Sequence, residues 1–141
     1  MHMRGTPGTM QDDPHYDDVT GEIRVDLDVL ARGALAAGVP ADGIMVDPGI
    51  GFGKTTGHNL QVIRELPRIV ELGYPVLVGT SRKRFVGEIT GASVENRLPG
   101  TAATVTAAVM AGAAMVRVHD VEFMAPVVRM AEALRCGRGD R

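Results

Sequence analysis

Apolar residues recur along the chain with the period of an amphipathic helix in four places. Between residues 21 and 38 they fall every three or four positions, which predicts a helix with one buried face. The same spacing predicts helices over about residues 58–72, 97–112 and 122–134. Pro67 lies inside the second of these, so we expect that helix to be kinked or split.

Short, continuous apolar runs stand between the predicted helices. Residues 44–46, 75–79 and 114–118 are such runs, and they are typical of parallel strands that are covered on both faces. Strands and helices therefore alternate, and no low-complexity linker separates them. The pattern predicts an α/β protein with one domain over residues 1–136 and a flexible tail at residues 137–141.

Composition and charge exclude several classes of protein. With 141 residues, 45% of them hydrophobic, the chain is neither disordered nor fibrous. A net charge of −2 gives no overall basic field for nucleic acid or an anionic membrane. No apolar run reaches the roughly 18 residues of a membrane span, and the first residues do not resemble a signal peptide. We therefore expect a cytoplasmic protein.

Polar residues follow the carboxyl ends of the predicted strands. They are Asp47 after the first strand, Ser81, Arg82 and Lys83 after the second, and Arg117, His119 and Asp120 after the third. Ligands bind at this edge of parallel α/β sheets, because loops and helix N-termini converge there. Arg117 and His119 share one face of their strand and could hold one anion. Ordinary strand-end charges, solvated or ion-paired, remain an alternative at this point.

The glycine-rich run at residues 47–55 does not fit a nucleotide-binding motif. A P-loop requires glycine where Pro48 stands, and a dinucleotide fingerprint starting at Gly49 requires glycine where Lys54 stands. The glycines would instead let the backbone approach a flat ligand closely. Phe52 would then be a stacking or lid residue, with a simple core position as the alternative.

The histidines do not predict a metal site. His2, His15 and His58 lack ligand spacing from one another or from carboxylates, and His58 is explained as the opening of a helix. The single cysteine excludes an internal disulfide and a cysteine-built zinc site. Of the eight methionines we expect most to lie in the core, while Met1 and Met3 share one face of a short strand remnant.

Four motifs in a fixed order carry a family resemblance. They are MHMRG at residues 1–5, DPGIGFGK at 47–54, GTSRK at 79–83 and VRVHDV at 116–121. Together they closely resemble bacterial dihydropteroate synthases over nearly the whole chain. That family is a (β/α)8 barrel that joins 6-hydroxymethyl-7,8-dihydropterin diphosphate to 4-aminobenzoate in folate biosynthesis, releasing pyrophosphate.

The resemblance implies a role for each strand-end residue. Asp47 would accept hydrogen bonds from the amino and ring N–H groups of the pterin, and Lys83 would donate to its carbonyl and ring nitrogen. Arg117 and His119 would hold the diphosphate. The other implied substrate-binding residues are Met1 at the pterin, Gly51, Phe52 and Gly79 in the walls with Phe52 toward the aminobenzoate ring, and Ser81 and Arg82 in the adjoining loop.

The implied chemistry is an SN1-like displacement, in which pyrophosphate leaves from a pterin-stabilised cation and the arylamine then attacks. Lys83, Arg117 and His119 would be the catalytic residues, because cations near the departing phosphate neutralise its developing charge. Mg²⁺ would be held with the substrate diphosphate. No residue of this chain is implied as a metal ligand, because the family's ligand lies in its N-terminal half.

Size is where the sequence departs from the family. A (β/α)8 barrel needs about 250 residues, and this chain matches the C-terminal half, with four strand ends of which the first is the stub at residues 1–3. The absent half would complete the magnesium, pterin and aminobenzoate contacts, so we expect no synthase activity from this chain alone. The position of Met1 inside a motif favours a truncated sequence or an internal start over a naturally halved protein.

Half a barrel would leave unpaired edge strands and an uncovered inner face. We therefore expect the chain to form a homo-oligomer, to pair with an N-terminal half, or to fold poorly. Two other functions stay open, a non-catalytic pterin- or anion-binding half-domain and a pterin-dependent methyltransferase with a corrinoid partner. The basic runs at residues 81–83 and 117–120 argue against the methyltransferase, since methyl transfer has no diphosphate to hold.

Overall fold

The computed structural model describes residues 1–6, 8–10 and 12–137. Within them, helices alternate with two short strands. Besides two short 3-10 helices at Ala41–Gly43 and Val94–Asn96, the elements are α1 (Val19–Ala36), α2 (Thr56–Arg64), α3 (Pro67–Val70), β1 (Leu77–Val78), α4 (Arg84–Thr90), α5 (Leu98–Met110), β2 (Met115–Val116) and α6 (Val121–Cys136). Gly137 ends α6 in the left-handed conformation. The rest of the tail predicted at residues 137–141 lies outside the described residues.

Parallel pairing aligns the strand segments so that their carboxyl ends meet at one edge. β1 pairs in parallel with β2, and on its other side Val46 forms a parallel bridge to Val76. The N-terminal segment joins beyond that, because the His2 N–H donates to the Asp47 carbonyl over 2.9 Å. The loops that follow these segments are thereby brought together.

Helices cover the outer face of the sheet, and the main core lies between the two layers. Buried side chains of α1 recur every four residues, at Val19, Ile23, Leu27 and Ala31. They belong to one cluster with strand residues such as Val46, Val76 and Val78. A second cluster joins α5 to α6, with Val105, Val109, Met124 and Ala131 at its centre. Burial of this apolar surface is the main force that stabilises the layered arrangement.

The inner face of the sheet is open among the described residues. Met1, Met3, Met45 and Met115 are exposed by 53%, 37%, 41% and 49%, while the intervening His2 is buried. Such alternation is the period-two pattern of a strand. It confirms that Met1 and Met3 share a face, but the expectation that most methionines lie in the core is wrong.

The observed helices differ from the predicted ones in two places. The helix expected over residues 58–72 is split into α2 and α3, because Pro67 has no backbone N–H and instead opens α3 in its first turn. α4 was not predicted, because its seven residues are too few for a clear helical period and include Gly87. The strands are also shorter than their apolar runs.

Candidate functional site

Two recesses adjoin at the carboxyl edge of the sheet. The first, here called the aromatic recess, has a volume of about 230 Å³ and includes Gly51, Phe52, Lys54, Lys83, Arg84 and Phe85 in its lining. The second, the basic recess, has a volume of about 430 Å³ and is lined by Gly79, Ser81, Lys83, Arg117, Val118 and His119. Lys83 borders both recesses, so one ammonium group could act on ligands in either.

The glycine-rich loop owes its shape to close contacts within the protein. Gly49 has φ +66°, and a Cβ added there would stand 1.8 Å from the His2 carbonyl oxygen. Its N–H donates to Asp47 Oδ1 over 2.7 Å, which holds that carboxylate at the end of its strand. Gly51, with φ +82°, lies against the Lys83 side chain. Only glycine combines a positive φ with such close contacts without strain.

Lys83 and Phe52 form the junction between the two recesses. The Lys83 Nζ lies 4.7 Å from the centroid of the Phe52 ring, a cation–π contact, and donates to the Ile50 carbonyl. Burial lowers the pKa of Lys83 to about 8, against the opposing charge of Asp47 and with a further lowering by Arg117. Phe52 is half-buried and forms a wall of the recess, so it is not a core residue.

The basic recess places a histidine and an arginine beside a serine hydroxyl. Ser81 Oγ lies 2.8 Å from His119 Nδ1 and accepts the His119 backbone N–H over 3.1 Å. The Arg117 side chain lies along the backbone of Gly79, where an added Cβ would stand 3.5 Å from its Nε. Arg117 is exposed, and no ion pair engages it within the described part of the chain. Its guanidinium is therefore available to an anion.

Arg82 is held away from both recesses. Its guanidinium donates to both carboxylate oxygens of Asp120, over 3.1 Å from Nε and 2.5 Å from Nη2. This contact lowers the pKa of Asp120 and raises that of Arg82. The backbone of Arg82 has φ +56°, and its N–H donates to Thr101 Oγ1 over 3.1 Å. Arg82 thus shapes the loop between Ser81 and Lys83.

Most of the residues singled out in the sequence meet at this edge. Gly51 and Phe52 line the aromatic recess, and Gly79, Ser81, Arg117 and His119 line the basic one. Asp47 lines neither recess, although its charge acts on Lys83. Met1 lies on the open inner face, outside both recesses.

Several further residues that line the aromatic recess were missed in the sequence, among them Arg84, Phe85 and Asn59. Arg84 and Phe85 belong to the lining because the unpredicted α4 begins there. Asn59 accepts the Gly51 N–H at its Oδ1 over 2.7 Å and donates to the Thr55 carbonyl over 2.9 Å. An asparagine on the buried face of a predicted helix was the signal that could have found it.

The described residues do not fit a magnesium site. Within residues 1–6, 8–10 and 12–137, no three His, Cys, Asp or Glu side chains are grouped as ligands. Both oxygens of Asp120, the carboxylate next to His119, are taken by Arg82. In the same part of the chain, no helix is long and apolar enough to cross a membrane.

Residues 1–119 match the family described as "Pterin binding enzyme". The dihydropteroate synthase of Neisseria meningitidis serogroup C is 46% identical over 136 residues, which cover 95% of this chain and 48% of that protein. The chain thus spans about half the length of the curated relatives it matches.

Solved structures agree with this match. The Yersinia pestis dihydropteroate synthase, in a complex with a sulfonamide drug, superposes with a TM-score of 0.93 at 36% identity, covering 97% of this chain and 50% of that one. The Thermus thermophilus enzyme is 45% identical, with TM-scores of 0.86 in its complex with 4-aminobenzoate and 0.88 with 6HMPPP. These complexes cover 92% and 94% of this chain and 52% and 53% of the Thermus chains.

The expected fold class is confirmed, since these neighbours are (β/α)8 barrels and the chain superposes on about half of each. The motif resemblance to dihydropteroate synthase is confirmed as well. On the family match over residues 1–119, together with this shared fold, the chain belongs to the pterin binding enzyme family.

Proposed function

We propose that this chain supplies the anion- and arylamine-binding half of a dihydropteroate synthase site. The observation that carries the proposal is the position of Lys83 between an aromatic recess and a recess lined by Arg117 and His119. The reaction joins a diphosphate-bearing pterin to 4-aminobenzoate, so a cation between leaving group and nucleophile suits it. Full turnover would require a second half-site from elsewhere in a complete barrel.

The basic recess would receive the diphosphate. Arg117 can form paired hydrogen bonds with phosphate oxygens, and Ser81 orients the imidazole of His119 through its hydroxyl. As the carbon–oxygen bond to pyrophosphate breaks, negative charge grows on the leaving group. Fixed cations stabilise that charge without reorganising, which is the largest contribution this half-site could make to the rate.

The aromatic recess would receive 4-aminobenzoate. At about 230 Å³ it is smaller than the roughly 300–1,000 Å³ of typical ligand pockets, which suits a single-ring molecule. Phe52 offers an aromatic ring beside the buried Phe85, and Lys83 offers a charge for the carboxylate, whereas Arg84 is paired with Glu88. The neutral amine would then be held for attack on the pterin carbon.

Asp47 would bind the pterin, as the resemblance implies. Its carboxylate is held in place by the Gly49 N–H and has acceptor capacity left for the amino and ring N–H groups of a pterin. Binding of Mg²⁺ together with the substrate diphosphate stays a prediction. The described residues offer no set of ligands for this ion.

Calorimetric titration with the pterin diphosphate, and separately with 4-aminobenzoate, tests the proposal. Asp47→Asn keeps the acceptor for Gly49 but removes the charge, and Arg117→Ala removes the exposed cation. We expect each change to weaken pterin diphosphate binding at least about tenfold, as for loss of one charge-assisted contact. Arg129→Ala, an exposed position on α6, is the matched control and should bind normally. A folded chain that gives no heat with either ligand would contradict the proposal.

Adding the N-terminal half of a related synthase separates the candidate functions. Pyrophosphate release with both substrates supports the synthase. Binding without turnover under the same conditions would support a non-catalytic pterin- or anion-binding half-domain. Methyl transfer from methyltetrahydrofolate to a corrinoid would support the methyltransferase, which the three basic side chains of the basic recess, Lys83, Arg117 and His119, disfavour.

A further inference from the structure

Lys54 is the largest side chain that is fully buried in the described part of the chain, with 2% of its surface exposed. No carboxylate in residues 1–6, 8–10 and 12–137 forms an ion pair with it. A buried ammonium without a paired anion is costly, and it persists only where its donors are fully satisfied. The acceptors that surround the Lys54 ammonium group therefore indicate its role in the structure.

Three acceptors surround the Lys54 ammonium group. Nζ lies 3.0 Å from the carbonyl oxygens of Gly49 and Phe52 and 3.0 Å from His2 Nδ1. An ammonium has three donors and no acceptor, so Nδ1 must accept and the ring proton of His2 lies on Nε2. That atom lies 3.3 Å from Asp26 Oδ2, near enough for attraction but out of line for a hydrogen bond.

The two carbonyls that Lys54 binds lie at the two ends of a tight turn. The Phe52 N–H donates to the Gly49 carbonyl over 3.0 Å, and Lys54 Nζ binds this same oxygen. The Gly49 N–H in turn holds Asp47. Lys54 therefore joins the two ends of the turn whose loop carries Asp47 and the Phe52 ring, the two groups that this loop offers to ligands.

We propose that Lys54 is a positioning residue, whose ammonium, anchored by His2, fixes the turn at residues 49–52 and so sets where Asp47 and Phe52 stand. The effect of Lys54 on the loop can be measured in the protein without a ligand. Its effect on ligand binding rests on the proposed function.

The charges around Lys54 make this role dependent on pH. Burial lowers the pKa of Lys54 to about 7, opposed by Asp47 and reinforced by Lys83 and Arg4. Burial, together with the charge of Lys54, lowers the pKa of His2 to about 4, so that imidazole is neutral and free to accept near neutral pH.

Other titratable groups face this cluster, and one of them is His58, whose ring packs edge-on against Tyr16 and whose pKa is lowered by burial and by the charges of His15 and Lys54. Asp26 of α1 lies behind His2, and the Tyr16 hydroxyl donates to the Gly53 carbonyl over 2.9 Å. Burial raises the pKa of Tyr16, so this hydroxyl stays protonated throughout the range in which Lys54 titrates.

Lysine-selective NMR on the unmodified chain tests the proposal directly, because Lys54 and Lys83 are the only two lysines in the sequence. We expect the Lys54 side-chain signal to titrate and the amide signals of Gly49 and Phe52 to move with the same midpoint. A Lys54 titration that leaves those amides in place would overturn the proposal. This measurement needs neither a ligand nor a variant.

Lys54→Met provides the second test. We expect the Gly49 and Phe52 amides to exchange with solvent about tenfold faster, as for loss of one stabilising contact, while amides in the middle of α1 keep their protection. Arg64→Met, an exposed cation of α2, is the matched control and should change neither set. Unchanged exchange in Lys54→Met would also overturn the proposal. If that variant does not fold, the titration of the unmodified chain decides.

Ligand binding separates this inference from the proposed function. If the unmodified chain binds 4-aminobenzoate, Lys54→Met should weaken that binding at least about tenfold, and the affinity of the unmodified chain should fall as pH rises through 7. Equal binding by the variant would overturn the link from turn to ligand. If the unmodified chain does not bind, the proposed function fails, and the amide measurements alone decide the role of Lys54.

Discussion

At the scale of single residues, Gly49 shows how a backbone position can be fixed by one neighbour. Its positive φ and the His2 carbonyl, 1.8 Å from the place of a Cβ, both exclude a side chain. Gly33 in α1 has neither constraint, since nothing lies within 4 Å of its added Cβ. The two glycines therefore form a matched pair for one substitution.

We predict that Gly49→Ala lowers the free energy of unfolding by about 1–3 kcal/mol, the cost of a strained backbone. Gly33→Ala should raise it by about 0.5–1 kcal/mol, because alanine is the better helix former. Chemical denaturation of both variants measures the difference. Equal stabilities would show that the loop relaxes around the new methyl group and that its backbone is not fixed by His2.

The pKa of Lys83, lowered to about 8, predicts how anion binding depends on pH. Below pH 8 the ammonium is charged and attracts an anion in the basic recess, and above it the attraction is lost. We predict that sulfate, whose own charge is constant, binds more weakly at pH 9 than at pH 7. Lys83→Met should bind more weakly at pH 7 and lose most of the change between pH 7 and pH 9 in calorimetry. A slope that survives in this variant would assign the titration to another group.

Which residues gather at the site followed from the sequence, but where their side chains point did not. Arg117, His119 and Lys83 were found because the carboxyl ends of parallel strands converge. Arg82 stands in the same motif, yet its left-handed backbone and the carboxylate of Asp120 turn it away. Nothing in the order of residues distinguishes the buried Lys54 from an exposed lysine, because its burial depends on His2, which lies far away along the chain.

At the scale of elements, the start of α2 is stabilised by reciprocal side-chain contacts. Thr55 Oγ1 accepts the His58 N–H over 3.1 Å, and the Thr55 N–H donates to His58 Nδ1 over 3.3 Å. This is a capping box, with His58 in place of the usual acidic or amide residue. The expectation that His58 opens a helix is thereby confirmed, although α2 begins two residues earlier.

We predict that Thr55→Ala lowers the free energy of unfolding by about 1 kcal/mol, the usual cost of losing a helix cap. Thr55→Ser keeps the hydroxyl and should retain most of the stability. Thermal or urea denaturation of the two variants measures this. A loss of equal size in both would mean that the threonine methyl group, and not the cap, carries the effect.

The helices were predictable where a long apolar face meets the core, and less so elsewhere. α1 could be predicted because Ile23 and Leu27, two of its five buried residues, belong to a regular apolar pattern, although Leu30 of the same pattern is exposed. α4 is short and pairs a buried Phe85 and Val86 with an exposed Ile89, so no period emerges. The strands span only two residues each, although backbone pairing continues beyond them, as where the Arg117 N–H donates to the Val78 carbonyl and the Val46 N–H to the Pro75 carbonyl.

At the scale of the whole molecule, the same arrangement that builds the site leaves a face uncovered. Loops from three strand ends converge on Lys83 because the strands are parallel, and that sheet buries only its outer side under helices. On the inner side, Met45 and Met115 point away from the core with 41% and 49% of their surfaces exposed. Apolar surface of this kind is a favourable place for association.

We therefore predict that the chain associates in solution through this inner face, with a second copy when no other half-barrel is supplied. Replacing Met45 and Met115 by glutamine should shift the chain toward monomer in sedimentation or light scattering, because the polar amides would have to be buried without partners. Met130→Gln, on the exposed side of α6, tests whether any methionine has this effect and should leave the oligomer intact. A cooperative melt from a monodisperse monomer of the unmodified chain would contradict the prediction. It would also mean that the outer core alone, between sheet and helices, is sufficient to hold the fold with its inner face in water.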